Sequence, residues 1–271
     1  MHPSSADTGE QYHIKCRHGD LAKCLLVPGD PDRVPKIARF WDESHEVSCH
    51  REFRSFTGKY KGVPISAMSS GIGPSTMAIL VNEAASAGVE TFVRVGSTGA
   101  IQKDIKCGDL VISVGAVRLD GTSEHYVRIE FPAVGHYQVL LALIDAAESL
   151  SFKYHVGVTA TSSDFYAGQE RLAFKQLKRS GTDNLIRTLQ NAGVLNFEME
   201  SATLFVLSSL LGLRAGAVCA VYANRVTNEF EPSAGEENCI KVANEAVKIL
   251  SDWDQVQQKK KRRWFYPSML K

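Results

Sequence analysis

Apolar residues along this chain gather into short continuous runs separated by longer amphipathic ones, the alternation expected of strands and helices in turn. Residues 22–27 are apolar enough for a strand, and Pro28-Gly-Asp-Pro-Asp-Arg33 then leads into a helical run at 34–40. Pro31 suits a first helical turn, and Asp30 can cap its free N–H groups. His50-Arg-Glu-Phe-Arg54 follows a loop, and 64–69 is a second strand. Ser70-Gly-Ile-Gly-Pro-Ser75 opens a helix running to about residue 87. Thr91, Phe92, Val93 and Val95 are β-branched or aromatic and make a short buried strand, with Gly96, Ser97, Thr98 and Gly99 as a tight turn after it. Further strands are expected at 109–119, 154–160, 194–197 and 214–222. Helices are expected at 137–150, 185–193, from Glu198-Met-Glu-Ser201 through the apolar 204–211, and at 237–253. Residues 164–171 form a loop entering a short helix. This order predicts an α/β fold with helical layers around one sheet and neither repeat nor linker.

Composition narrows this picture little. The chain has 271 residues, enough for one substantial core, and its 44% hydrophobic and 23% charged residues are ordinary for a water-soluble protein. A formal charge of +1 argues against a surface that coats nucleic acid. The six cysteines are scattered without a CxxC pair or zinc-ligand spacing, so reduced thiols in the cytoplasm are expected. No apolar run reaches the roughly 18–20 residues of a membrane span. Residues 1–11 are polar, are expected to be flexible and lack the layout of a signal peptide. The domain is then 12–253, followed by a basic and aromatic tail, 254–271, with Lys259-Lys-Lys-Arg-Arg263 and Trp264-Phe-Tyr266. Such a basic run is read first as a solvated tail and second as a localisation or nucleic-acid patch.

Three constellations carry candidate chemistry. Arg94 sits inside a buried strand, so it is either paired with a structural carboxylate or presented to an anion. Arg33 lies in the first turn of a helix, at the positive end of its dipole, where a cation belongs only if it serves an anion or escapes to the surface. With Arg51, these make three fixed cations beside glycine turns or strand ends, a set that suits a phosphate dianion. Second, Glu198-Met199-Glu200 stands at a strand-to-helix junction. Glu200 could hold the vicinal hydroxyls of a sugar above Met199, whereas Glu198 also suits simple stabilisation of the first helical turn. Third, Gln169 offers donor and acceptor and Arg171 donors only, which together can read a uracil edge while Phe165 stacks on the ring; the alternative is an ordinary polar helix start.

Taken in order, Pro-Gly-Asp-Pro-Asp-Arg (28–33), His-Arg-Glu-Phe (50–53), Arg-Val-Gly-Ser-Thr-Gly-Ala-Ile-Gln (94–102), Arg-Leu-Asp-Gly (118–121), Phe-Tyr-Ala-Gly-Gln-Glu-Arg (165–171), Phe-Glu-Met-Glu-Ser-Ala-Thr (197–203) and Asn-Arg (224–225) closely resemble the uridine-cleaving members of the nucleoside phosphorylase family. The resemblance spans about residues 12–250. It implies a single-domain, three-layer αβα sandwich with a central mixed β-sheet. It implies reversible phosphorolysis of uridine to uracil and ribose 1-phosphate, with inorganic phosphate as co-substrate and no cofactor. Position by position, it gives Gly29, Arg33, Arg94, Ser97 and, from a neighbouring subunit, Arg51 to phosphate. Met199, Glu200 and the neighbour's His13 would hold the ribose. Thr98, Gly99, Phe165, Gln169 and Arg171 would surround the base, with Arg225 near the leaving group. A dimer with shared sites, in some members three dimers in a hexamer, is implied, with an interface cation in some members at the positions of Glu52 and Ser75. Ser97 stands where bacterial members usually carry threonine, and the hydroxyl is kept. The Gly-Ile-Gly-Pro-Ser turn is one glycine short of the family pattern. Tyr222-Ala223 replaces an aliphatic pair, which is expected to reshape the wall over the base.

The implied mechanism is attack of phosphate on C1′ through an oxocarbenium-like transition state, with Gln169 and Arg171 stabilising charge on the departing uracil. Cytosine would set an amino donor against Arg171, leaving buried donors unpaired at about 1–3 kcal/mol. Asn224-Arg225 stands where purine-cleaving relatives place an aspartate, which also favours uridine. Three rivals remain: a nucleoside hydrolase, a catalytically silent nucleoside-binding relative, and a dinucleotide oxidoreductase. The last lacks a GxGxxG after the first strand.

Overall fold

A computed structural model describes residues 9–177 and 184–270. Residues 1–8 of the expected flexible N-terminus lie outside the described residues. The chain folds as a mixed α/β domain in which eleven described strands join one sheet, accompanied by six described α-helices.

The central strand β5 (Thr91–Ala100) is flanked by parallel β1 (Cys24–Val27) on one side and parallel β10 (Arg214–Asn224) on the other. Its β-branched and aromatic residues are buried on both faces, as a central parallel strand requires. Beyond β1 lie β4 (Val63–Met68), β3 (Phe53–Tyr60) and, at the edge, β2 (Glu43–His50). On the other side β10 pairs with β6 (Leu110–Leu119), β6 with β8 (Tyr154–Ser162), β8 with β9 (Asn196–Glu198), and β9 returns to β5 at Gly99 and Ala100. Five strands therefore close on themselves, and an irregularity between Val221 and Ala223 of β10 accommodates the closure.

Helices α1 (Arg33–Ala38), α3 (Tyr137–Ser149) and α6 (Glu236–Lys259) contribute to one core with Val93 and Val95 of β5. Helices α2 (Pro74–Ser86) and α5 (Ser201–Leu210) contribute to a second core with Phe92. A smaller cluster holds Leu189 of α4 (Leu185–Asn191) against Ile101 and Phe197. Among the described residues no helix is long and apolar enough to cross a membrane.

Two expectations need correction. The antiparallel hairpin β2–β3 was not expected, because its edge strand reads Glu-Ser-His-Glu-Val-Ser-Cys-His and carries no apolar period. Nor is 96–99 a tight turn: β5 runs straight through it, paired residue by residue with β10. Glycine at 96 is needed for close approach, since a Cβ there would lie 2.7 Å from Cys219 Sγ and 2.9 Å from Arg94 Cζ.

Helix α6 also runs past residue 253. Beyond it Phe265 is buried and stacks on Trp253, with ring centroids 4.4 Å apart and planes 11° from parallel. Lys260 Nζ donates to the carbonyl of Met269, itself buried in the first core. Phe265→Ala is expected to cost about 3–5 kcal/mol, the usual range for emptying a buried phenylalanine site. Urea denaturation reads this, and unchanged stability would mean that the segment after α6 does not pack on the core.

Candidate active site

On one edge of β5, β1 pairs as far as Arg94 and β9 begins at Gly99, so among the described residues the backbone between them has no strand partner on that side, which leaves a gap along that edge. The candidate residues collect at its two ends, which five residues of strand hold about 16 Å apart.

At the first end Arg94 is buried. Its Nε donates to Glu198 Oε2 at 2.8 Å, and its Nη2 lies 2.5 Å from Glu200 Oε2. Burial pulls the guanidinium pKa down, but Glu200 and Glu198 outweigh it and the net direction is upward. Nη1 is buried with no partner among the described residues. Glu198 is saturated: it also accepts from the backbone N–H groups of Glu200 and Ser201 and, at 2.5 Å, from the Thr161 hydroxyl. It therefore both stabilises the first turn of α5, as one reading of Glu198 expected, and is the structural carboxylate that pairs Arg94. Glu200 is buried as well, and its Oε1 accepts from Gly73 N–H at 2.6 Å. Gly73 has φ +101°, open to glycine, so the entry loop of α2 can turn its N–H onto Glu200. Burial raises the Glu200 pKa, Arg94 opposes this, Glu198 adds to it, and the net direction is upward. Met199 beside it is half-buried.

Arg33 arrives from α1, on the side of the other core. Its Nε donates to Glu236 Oε2 at 3.0 Å, Nη1 to the Val95 carbonyl at 3.2 Å and Nη2 to the Tyr222 hydroxyl at 3.2 Å. Asp30 does serve the turn before α1, accepting from Asp32 N–H at 2.9 Å. Gly29 lies against the Gly71 carbonyl, 3.2 Å from where a Cβ would stand. The half-buried Ser97 hydroxyl has no hydrogen bond among the described residues.

At the second end Gly99 is bordered by two arginines: a Cβ there would stand in ordinary contact, 3.7 Å from Arg225 Cδ and 3.8 Å from Arg171 Nη2. Arg171 lies over the exposed Phe165 ring at 4.4 Å, and Arg225 over Phe197 at 5.9 Å. Arg171 Nε and Arg225 Nη1 are buried without partners among the described residues. Burial first, and then the charge of Arg171, push the Arg225 pKa down to about 10; burial also lowers that of Arg171. Gln169 is buried in the same loop. Glu170 fixes that loop by accepting from the backbone N–H groups of Leu185 and Ile186 at the start of α4. The Thr98 hydroxyl donates to the Phe197 carbonyl and accepts from the Asn196 amide, so its proton is already committed and it has no donor left for a ligand.

Two expected residues stand apart. His13 is tied to Glu83 on α2, with Nδ1 2.5 Å from Oε1, and Arg51 is exposed on the β2–β3 turn without a polar partner among the described residues. Neither makes a polar contact with Arg33, Arg94 or Glu200 of its own chain. Glu52 borders Gly71, and Ser75 Oγ lies 3.4 Å from Thr122 Oγ1; among the described residues no group of three or more His, Cys, Asp or Glu could hold a metal.

Two residues carry more than their sequence signals suggested. Tyr222, expected on the wall over the base, sends its hydroxyl to Glu236 Oε2 at 2.6 Å, beside Arg33. Glu236 had no signal beyond being acidic in a first helical turn. Burial would raise its pKa, but Lys36, Tyr222 and Arg33 together draw it down to about 2.

Residues 23–252 match the pattern that defines the phosphorylase superfamily. The chain is 55% identical to the uridine phosphorylase of Thermococcus kodakarensis, covering 97% of this chain and 95% of that protein. It is 42% identical to the uridine phosphorylase of Klebsiella aerogenes over 88% and 97% of the two chains. It is 35% identical to the guanosine phosphorylase of Halorubrum lacusprofundi, over 88% and 93%.

Two outcomes follow from these charges. Arg171 and Arg225 repel each other in a half-buried place, so Arg225→Gln is expected to raise the thermal midpoint by about 2–4 °C, equivalent to about 1 kcal/mol; a lower midpoint would mean the pair is compensated. Glu236 has a depressed pKa, so its stabilisation is fully present above the ordinary 4.5 and fades as pH falls toward about 2. The urea midpoint of the wild type should therefore exceed that of Glu236→Gln at neutral pH and lose this margin on acidification. A margin independent of pH would contradict the linkage.

Proposed function

The chain belongs to the phosphorylase superfamily, and on that premise we propose that it is a uridine phosphorylase, converting uridine and phosphate reversibly to uracil and ribose 1-phosphate. The observation that carries this reading is a pair of incompletely satisfied arginine groups at the two ends of one strand gap: Arg94 with Arg33, and Arg171 with Arg225. The first suits a phosphate dianion, and the second suits oxygen acceptors that gain negative charge.

In this mechanism Gly29, Arg33, Arg94 and Ser97 hold phosphate, and Glu200 above Met199 holds the ribose hydroxyls. Phosphate forms its bond to C1′ as the glycosidic bond breaks and its electron pair passes to the base. Arg94 is already ion-paired with both Glu198 and Glu200, so the nucleophile is oriented without being held as tightly as by bare cations. Gln169, Arg171 and Arg225 receive the developing charge on uracil, with Thr98, Gly99 and Phe165 around the ring. The phosphate is itself the co-substrate, and the chemistry requires no cofactor.

Arg51 and His13 are read as donated to a neighbouring copy, since each lies away from its own chain's cluster. A homodimer with shared sites is the smallest assembly this allows, with Glu52 and Ser75 available to an interface cation. The helices are read as the outer layers of an αβα sandwich, which the two separate cores support. The described cysteines are all free, in keeping with work in the cytoplasm.

A purine reading is supported by the likeness to the guanosine phosphorylase. The side chain of Asn224 weighs against it. That buried amide donates to the carbonyls of Gln102 and Ile105 and accepts from Val226 and Thr227 N–H, so nothing of it remains for a purine ring nitrogen.

The test is base release from uridine, thymidine, cytidine, inosine and guanosine, with and without phosphate. Uridine should be cleaved fastest and only with phosphate; undiminished release without it would favour a hydrolase, and faster guanosine or inosine cleavage would overturn the base assignment. Arg94→Ala should lower turnover by about 10²–10³, against less than about twofold for the exposed Lys103→Ala, a surface change of little consequence. Equal activities would remove Arg94 from the site.

A further inference from the structure

The ring of hydrogen bonds behind Arg33 has a role of its own. Glu236 Oε2 accepts from both Arg33 Nε at 3.0 Å and the Tyr222 hydroxyl at 2.6 Å, while the Tyr222 oxygen accepts from Arg33 Nη2 at 3.2 Å. The tyrosine hydroxyl thus donates to the carboxylate and receives from the guanidinium, and each of the three groups fixes the other two. The Val95 carbonyl takes Nη1. A guanidinium has five N–H donors. Three are spent, on Glu236, Tyr222 and Val95, so two remain, one on each terminal nitrogen. That is the donor pair of a bidentate oxyanion contact.

The anchor is rigid. Glu236 opens α6 directly after Gly235, whose φ of +70° and close approach to the Gly108 carbonyl leave no room for a side chain. Lys36 Nζ occupies the other carboxylate oxygen at 2.8 Å, so Glu236 is not free to follow a moving arginine. Tyr222 is held by β10 next to the irregularity that closes the strand ring.

We propose that Tyr222 and Glu236 are positioning residues which lock the Arg33 guanidinium so that its two remaining donors face phosphate. This rests on the reading of Arg33 as a phosphate ligand. The tyrosine then belongs to the nucleophile's side of the site and acts on phosphate affinity, not on base choice.

Tyr222→Phe keeps the ring and removes the hydroxyl, freeing Nη2 to turn. The KM for phosphate is expected to rise about tenfold, the equivalent of one hydrogen bond to a charged group, with the KM for uridine within about twofold. Glu236→Asp keeps the charge but withdraws the carboxylate by one methylene, and should raise the phosphate KM likewise. A purely electrostatic role predicts no change for that variant, so it separates position from charge. The rise in thermal midpoint on adding inorganic phosphate, measured on the same proteins, reads the same affinity without turnover. Both variants should show a smaller rise than the wild type, and Glu236→Asp carries the test should Tyr222→Phe not fold. An unchanged phosphate KM and unchanged midpoint rise would overturn the proposal, as would equal increases in both KM values. A wild type that releases no uracil with phosphate yet gains stability from it would sink the uridine reading and leave this one standing.

Discussion

Everything in this site depends on one buried cation between two buried carboxylates. Arg94 is 3% exposed, so its charge persists only because Glu198 and Glu200 compensate it. Removing one partner of such a pair costs about 3–5 kcal/mol, whereas an exposed pair such as Arg128 with Glu130 contributes about 0–1 kcal/mol. The large cost marks Glu198 as the residue that fixes Arg94 before any ligand arrives. Because Glu198 also caps α5, the helix and the arginine are set by the same carboxylate, with Oε2 shared between Ser201 N–H and Arg94 Nε. Glu200 is placed by that cap, by Arg94 and by Gly73, so three chain segments meet on the candidate ribose ligand.

The sheet supplies the second constraint. Five strands close on themselves through β5, and the closing strand β9 takes up the β5 edge only after the gap that β1 leaves. One strand can therefore present Arg94 to α5 and its Val95 carbonyl to Arg33, while Gly99 stays bare beneath Arg171 and Arg225. The two ends differ in electrostatic character. The Arg94 end is compensated and stiff, whereas the Arg171–Arg225 end is undercompensated and pushed toward the neutral form. An anion that must bind and leave suits the first, and charge that appears only during reaction suits the second.

Much of this was legible from residue types. The alternation of strands and helices, Arg33 at a helix start, and Glu198-Met199-Glu200 at a junction all reappear in the fold, with boundaries shifted by a few residues. Three features were not legible. The β2 strand is polar on both faces because it lies at an edge, so no hydrophobic period marks it. The strand through Gly96–Gly99 looked like a turn because of its glycines, yet Gly96 is there to make room for Cys219 and Arg94, and a contact as distant in sequence as Cys219 leaves no local trace. The Tyr222–Glu236–Arg33 ring joins residues up to 203 positions apart, and only the closed sheet brings them together.

On the proposed reading the groups around Arg94 deliver phosphate, and not water, to the sugar. The sugar product decides between the two, followed through ³¹P resonances while uracil is released from uridine. One ribose 1-phosphate formed for each uracil is the expected result. Free ribose accumulating with an unchanged inorganic phosphate signal would contradict it.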